Sequence, residues 1–277
     1  MPRAVVAVAY GGPEVIEIVD IASRPPGEGE VTVAVRAAAL NPYDAKQAAG
    51  EGGADPAKLP RRLGGEAAGV VTAVGPNAVG LEGEPLAVGD AVYGTRLSGA
   101  QASELTVPAD RLLQKPPNLG FDEASGALLV GTTAVHALTA IGLERAETLL
   151  LHGASGGVGS LIAQLALLRG ARVIGTASPR RHDALRAAGV EPVAYGHGLA
   201  GRVRDLAPEG VDAAVDAAGT DEALAVSLDL VADPARIVTL VNFRAALDAG
   251  AQAIGGGPGA DPGSDIRAAA RLTLAPL

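Results

Sequence analysis

The sequence predicts an α/β chain: a compact, mostly β domain followed by a doubly wound parallel sheet. Three observations carry this. Up to about residue 115, short β-branched runs are separated by Gly and Pro. From about residue 120, strand-like and helix-like segments alternate. One strand–turn–helix junction, near residue 153, is dense in glycine.

In chain order, residues 15–19 and 31–35 are rich in Val and Ile, and the second run alternates cleanly. Gly11-Gly12-Pro13 and Pro25-Pro26-Gly27 border them with turn chemistry. Further strands are expected at 68–74, 91–93 and 104–107. A helix over 132–141 links the two halves. Strands then fall at 148–152, 172–176, 192–195, 213–216 and 236–241, with helices at 158–169, 180–188 and 222–231. That spacing argues for parallel βαβ units. Residues 255–259 read as a flexible glycine loop and 264–272 as a helix. The domains are therefore set at 1–120 and 121–256, with 257–277 as a tail.

Composition removes several function classes. With 48% hydrophobic residues among 277, the chain has material for a sizeable core and is not disordered. The 31 acidic residues outnumber 22 basic ones, for a net charge of -9, which repels phosphate backbones and anionic lipid. Nucleic acid and membrane are thus not expected partners. Cysteine is absent, which excludes disulfides, thiolate catalysis and Cys-ligated zinc. Met1-Pro2-Arg3 opens no secretory signal, and the richest apolar window, 161–168, is broken by Gln164. The expected location is the cytoplasm.

The sharpest local signal runs from Leu149 to Gly159: an apolar strand, His152, then Gly153-Ala154-Ser155-Gly156-Gly157-Val158-Gly159 opening a helix. Gly153 allows the tight turn, Gly156 lets backbone N–H groups approach a pyrophosphate, and Gly159 permits close helix–strand packing. The helix N-terminus adds partial positive charge. The spacing GxxGxxG between strand and helix points to a dinucleotide cofactor. NAD-binding units end the second strand with a carboxylate that grips the ribose hydroxyls. Here that strand runs into Ala177-Ser178-Pro179-Arg180-Arg181, with no carboxylate. Ser178 and Arg180 or Arg181 suit a 2′-phosphate, so NADPH is expected over NADH. The alternative is that these arginines are an ordinary solvated helix start. Gly153 to Gly157 also satisfies GxSxG, the nucleophile elbow of serine hydrolases. A base histidine late in the chain is missing, which leaves a hydrolase using Ser155 as a remote reading.

Asn41 to Lys46, Leu63 to Val71, Val88 to Gly94, Gly131-Thr132-Thr133-Ala134 and the glycine turn stand in the order of medium-chain dehydrogenases. The chain resembles the zinc-independent, zeta-crystallin-like quinone oxidoreductase branch of that superfamily. The resemblance implies a GroES-like catalytic domain, a Rossmann domain and a cleft between them, and it suggests a homodimer. It implies Ser178, Arg181 and Tyr195 around the 2′-phosphate, Thr133, Val241 and Phe243 near the nicotinamide, and Asn41 beside the ring or substrate. Asn41 reads equally as a turn residue before Pro42, and Tyr195 as a packed strand end. Zinc-bearing relatives carry Cys and His near Asn41 and Gly65. With neither, and with Glu66 alone unable to hold a metal, no zinc is expected.

Two departures stand out. The 50–54 stretch lacks the cleft aromatic of many relatives, and the family continues for some tens of residues after the helix where this chain ends. The chain therefore reads as truncated at Leu277, with an exposed sheet edge. The expected reaction is metal-free hydride transfer from NADPH to a small-molecule electron acceptor, a quinone or an α,β-unsaturated carbonyl. Asn41 is the first candidate to stabilise charge on the acceptor oxygen, Tyr43 a weaker one and Lys46 a distant one. The competing class is a non-catalytic or truncated NADPH-binding relic.

Overall fold

The computed structural model describes residues 1–51 and 53–274. Gly52, within the aromatic-free stretch, and the chain end at Leu277 lie outside the described residues. The chain divides into two compact units, Met1–Leu129 with the stretch from Arg271, and Val130–Ala270.

The first unit is mostly β. A five-stranded antiparallel sheet is built from β3 (Glu30–Ala38), β5 (Glu66–Val74), β6 (Ala91–Thr95), β7 (Glu104–Pro108) and β8 (Leu112–Gln114), ordered β7-β3-β5-β6-β8. A smaller sheet places β1 (Arg3–Ala7) between β2 (Ile16–Asp20) and β4 (Arg61–Arg62). Alternation in β3 buries Val31 and Val33 with Val71, Val92 and Leu105. Gly69 is required where β3 and β5 pair, because a Cβ there would lie 2.3 Å from the Ala34 carbonyl oxygen. Two short helices, α1 (Pro42–Ala49) and α2 (Phe121–Ser125), flank the sheet residues. The Asn-Pro pair opens α1 with proline in its first turn, and Gly50 closes it at φ 78°.

The second unit is a six-stranded parallel sheet. Its strands are β9 (Thr148–His152), β10 (Arg172–Thr176), β11 (Glu191–Val193), β12 (Ala213–Asp216), β13 (Ile237–Thr239) and β14 (Gln252–Ala253), ordered β11-β10-β9-β12-β13-β14. The order reverses beside β9, which creates a switch point at the C-terminal strand ends. Leu149, Leu150 and Leu151 are fully buried, as expected of a parallel strand covered on both faces. Helices α4 (Gly157–Leu168), α5 (His182–Ala187), α6 (Leu199–Leu206), α7 (Asp221–Leu230) and α8 (Phe243–Asp248) lie within this unit, and α3 (Ala127–Ala140) and α9 (Ser264–Leu274) lie mostly within it. Among the described residues, no helix is long and apolar enough to cross a membrane.

Several boundaries differ from expectation for local reasons. The strand expected to reach Tyr195 ends at Val193, because the Arg202 guanidinium takes the Ala194 carbonyl and draws the chain off the sheet. The strand expected to reach Val241 ends at Thr239, whose hydroxyl folds the next residues into a turn. The helix expected from residue 180 starts as a 3-10 turn, Pro179–Arg181, before α5. Helices α1, α2, α6 and α8 are not among the expected elements. Each has at most eight residues, too few for periodicity to show.

Candidate functional site

In the second unit, β9 delivers His152 and then Gly153, whose φ of 76° only glycine adopts freely. The Gly153 N–H donates to Thr176 Oγ1 at 3.1 Å, and its carbonyl accepts the Gly156 N–H at 3.0 Å. Gly156 is the N-cap of α4, and no side chain caps this helix. The N–H groups of Gly157, Val158 and Gly159 therefore have no intrahelical acceptor and present the positive helix end. Ser155, Gly156 and Gly157 are exposed. A Cβ on Gly159 would come within 2.1 Å of the Gly153 carbonyl oxygen. Its close packing is thus against the turn itself, where the sequence suggested a neighbouring strand. An exposed, uncapped N-terminus braced by glycine–glycine contact offers N–H donors that an anion such as a diphosphate can accept from.

The strand ends carry a set of buried polar side chains that hold the loops of this crevice. Asp216, fully buried, accepts from the Ala218 and Gly219 N–H groups at 2.9 and 2.8 Å and from the Thr239 hydroxyl at 2.9 Å. Thr239 Oγ1 in turn accepts from the Val241 and Asn242 N–H groups at 3.2 and 3.1 Å. His152 is also buried, and its Nε2 has no hydrogen-bond partner. Burial pushes its pKa down to about 4, against the pull of the Asp216 and Glu222 charges. Sequence reasoning missed this set. The available signal was a polar residue closing four of the apolar strands, His152, Thr176, Asp216 and Thr239, which the sheet order makes neighbours.

Ser178, Arg181 and Tyr195 belong to one edge of this sheet. Thr176 is in register with Val193, and the Ala177 N–H donates to the Val193 carbonyl at 3.0 Å. Ser178 and Tyr195 thus follow their strands at matching offsets. Ser178 precedes the 3-10 turn that carries Arg180 and Arg181, both exposed. Tyr195 is 60% exposed, so the packed strand end is not its environment.

The residues assigned to the nicotinamide side sit on separate elements. Thr133 lies buried on α3. Val241 covers the turn after β12, where a Cβ on Gly219 would meet its Cγ1 at 2.5 Å. The Phe243 ring lies against Gly257, leaving no room for a side chain there. The expected flexible loop is a pinned turn: Gly255 N–H donates to the Asp261 carbonyl, and the Asp261 carboxylate meets His136 Nε2 at 3.1 Å.

In the first unit, Asn41 is the N-cap of α1 and lies beside the start of β5. Its Nδ2 donates to Glu66 Oε1 at 3.0 Å, while its backbone N–H donates to Asp44 Oδ2 at 2.8 Å. Glu66 Oε2 accepts the Leu129 N–H at 3.0 Å. Burial raises the Glu66 pKa, and these two hydrogen bonds partly offset that rise. Tyr43, 60% exposed, lines a cavity of about 220 Å³ with Asp44, Lys58, Arg61, Arg62 and Gly65. Among the described residues, no three His, Cys, Asp or Glu side chains gather where they could hold a metal. Ser155 is exposed, whereas His152, three residues before it, is buried. That pair does not form a nucleophile and its base.

Known proteins place this architecture. Residues 27–117 match the alcohol dehydrogenase GroES-like domain, and residues 157–252 match the zinc-binding dehydrogenase family. A quinone oxidoreductase of Pseudomonas aeruginosa is 36% identical over 250 residues, covering 87% of this chain and 74% of that protein. The spectinabilin polyketide synthase system protein NorB of Streptomyces orinoci is 39% identical over 226 residues. That match takes in 79% of this chain but spans only 10% of the synthase protein. Among solved structures, a quinone oxidoreductase of Pseudomonas syringae pv. Tomato DC3000 superposes with a TM-score of 0.76 at 31% identity, covering 97% of this chain and 79% of that one. Mycobacterial Rv1454c, solved in complex with NADPH, gives 0.80 at 28% identity over 99% and 87%. With a GroES-like domain, a parallel nucleotide-type sheet and relatives of this identity and coverage, the chain belongs to the zeta-crystallin-like quinone oxidoreductase branch of the medium-chain dehydrogenase/reductase superfamily.

Proposed function

We propose that the chain transfers hydride from NADPH to a quinone or an α,β-unsaturated carbonyl compound without a metal. The observation that carries the nucleotide reading is the α4 N-terminus, exposed, uncapped and shaped by the Gly153–Gly159 contact. The NADPH complex of a relative that covers nearly this whole chain supports it.

When bound, the nicotinamide supplies the hydride. The N–H groups of residues 157–159 hold the pyrophosphate, and Ser178 and Arg181 hold the 2′-phosphate. Tyr195 stands beside them as an exposed ring able to cover the adenine end. Asn41 has two amide hydrogens, and one is committed to Glu66. The other donates to the acceptor oxygen as negative charge develops there. The final proton comes from solvent, which suits quinones better than unactivated ketones. The donor set around Asn41 contains no thiolate or imidazole, which supports the metal-free reading.

Titration of NADPH and then NADH into the purified chain, followed by nicotinamide fluorescence, tests this. The protein background is small, with no Trp and four Tyr. Saturable NADPH binding with much weaker NADH binding is the expected result. A folded chain that binds neither would end the proposal. NADPH binding without reduction of any quinone or enone would leave a nucleotide-binding protein that does not turn over.

A further inference from the structure

The cavity of the first unit is walled by cations on a chain that is otherwise acidic. Lys58, Arg61 and Arg62 line it together, although the net charge is -9. Their positions are built. The Arg62 Nη2 donates to the Gly99 carbonyl at 3.1 Å, and a Cβ on Gly99 would strike the Arg62 Nε at 2.6 Å, so a glycine at φ 74° makes room for the guanidinium. Arg61 and Arg62 are β4 itself, paired with Ala7 and Val6 of β1. Lys58 ends a 3-10 turn capped by the Asp55 carboxylate, and Tyr10 fixes that turn from both sides. Its hydroxyl donates to the Asp55 carbonyl at 2.8 Å and accepts the Asp55 N–H at 3.0 Å.

Two carboxylates stand nearby, fewer than the three cations. Asp44 lines the cavity with its Oδ2 turned to the Asn41 N–H and keeps its charge. Asp55 lies 3.9 Å from Lys58, at the outer limit of an ion pair, and both are well exposed. The cavity adjoins the proposed chemistry, since Asp44 is bonded to Asn41 and Gly65 directly precedes Glu66.

Resting on the reading of Asn41 as the acceptor's hydrogen-bond donor, we infer that the acceptor is anionic: a quinone or enone bearing a carboxylate, phosphate or sulfonate that Lys58, Arg61 and Arg62 bind. Guanidinium forks match such oxyanions in two-point geometry.

The test compares 1,4-naphthoquinone with 1,4-naphthoquinone-2-sulfonate, in kcat/KM with NADPH and in equilibrium binding by calorimetry. The intrinsic reactivity of the two quinones cancels when their ratio is compared between proteins. The sulfonate-to-neutral ratio of kcat/KM is expected to fall about tenfold in Arg61→Ala and further with Lys58→Ala added, as for loss of charge-assisted hydrogen bonds. Arg61→Lys should recover part of it, and added salt should lower the wild-type ratio. A ratio unchanged across all the variants would overturn the inference while leaving hydride transfer intact. If neither quinone is reduced, sulfonate binding that the same substitutions abolish upholds the anion site and ends the reading of these naphthoquinones as acceptors. Absence of sulfonate binding ends the anion site.

Discussion

Asn41 Nδ2 lies 3.0 Å from Glu66 Oε1, so a side chain at the mouth of a helix is oriented by a carboxylate buried at the start of a strand. This bond fixes which way the Asn41 amide faces. Carboxylate oxygens only accept, so the NH2 group must point at Glu66 and the carbonyl oxygen away. Asn41 thereby keeps a single remaining N–H in a defined direction, which is the arrangement a hydrogen-bond donor to an acceptor oxygen requires.

Replacing Asn41 with Ala removes both roles. Glu66 Oε1 loses its partner inside the protein, and the penalty for an unsatisfied buried acceptor is about 1–3 kcal/mol. Urea unfolding should register that loss. Acceptor reduction should fall by about two orders of magnitude, the magnitude of one lost oxyanion donor, while the Kd for NADPH stays within twofold. Undiminished kcat/KM would mean that Asn41 only caps α1.

Two buried groups give pH dependences of opposite sign. The Glu66 pKa is raised in the folded state, so its contribution is complete at pH below the ordinary carboxylate value and is lost as pH rises through the folded value. His152 is held down at about 4 against 6.5 unfolded, so its contribution is present above 6.5 and is lost as pH falls toward 4. Thermal unfolding between pH 4 and 8 should therefore show a flatter alkaline decline for Glu66→Gln. His152→Phe should show a weaker acid decline than wild type. Parallel profiles for wild type and either variant would contradict the corresponding assignment.

Gly159→Ala introduces a methyl 2.1 Å from the Gly153 carbonyl oxygen. The backbone must move, at a cost of about 1–3 kcal/mol for an overpacked site. Because the displaced atoms belong to the turn proposed to hold the diphosphate, NADPH affinity should drop at least tenfold. Calorimetric titration of the folded variant checks this, and wild-type affinity would remove the turn from the nucleotide site.

Arg181→Ala should weaken NADPH about tenfold relative to NADH, because only the 2′-phosphate needs a guanidinium at that edge. Fluorescence titration of both cofactors reads the ratio. An equal loss for both would show that Arg181 does not sense the phosphate.

The second unit was the more legible half of the chain. Wholly apolar strand interiors such as 149–151 and the twelve-residue helix α4 announce themselves by composition and glycine spacing, and β9, β10 and β12 fall where expected. The first unit was read less completely because its elements are set by distant partners. β4 is two residues paired with β1, and α1 hides behind an Asn-Pro pair that also spells a turn. Site residues followed the same division. Ser178 and Arg181 are proposed because a missing carboxylate is visible in a string of letters, and the structure puts both at the turn that follows β10. Glu66 was considered only as a metal ligand, and its hold on Asn41 spans 25 residues. Arg62 and Gly99 likewise meet across 37 residues, which no local pattern encodes.

The side chains that shape the crevice loops, Thr176, Asp216 and Thr239, sit at the ends of strands and reach outward to loop backbone N–H groups. Each loop takes its course from the sheet rather than from its own letters. Exposed loop residues other than the glycines are consequently freer to be exchanged without loss of the curve they follow, since a backbone N–H is common to every residue except proline, whereas Ala154 and Ala177 are held in the core. A scaffold of this kind can change what it recognises by rewriting loop side chains while the rim that presents them keeps its form.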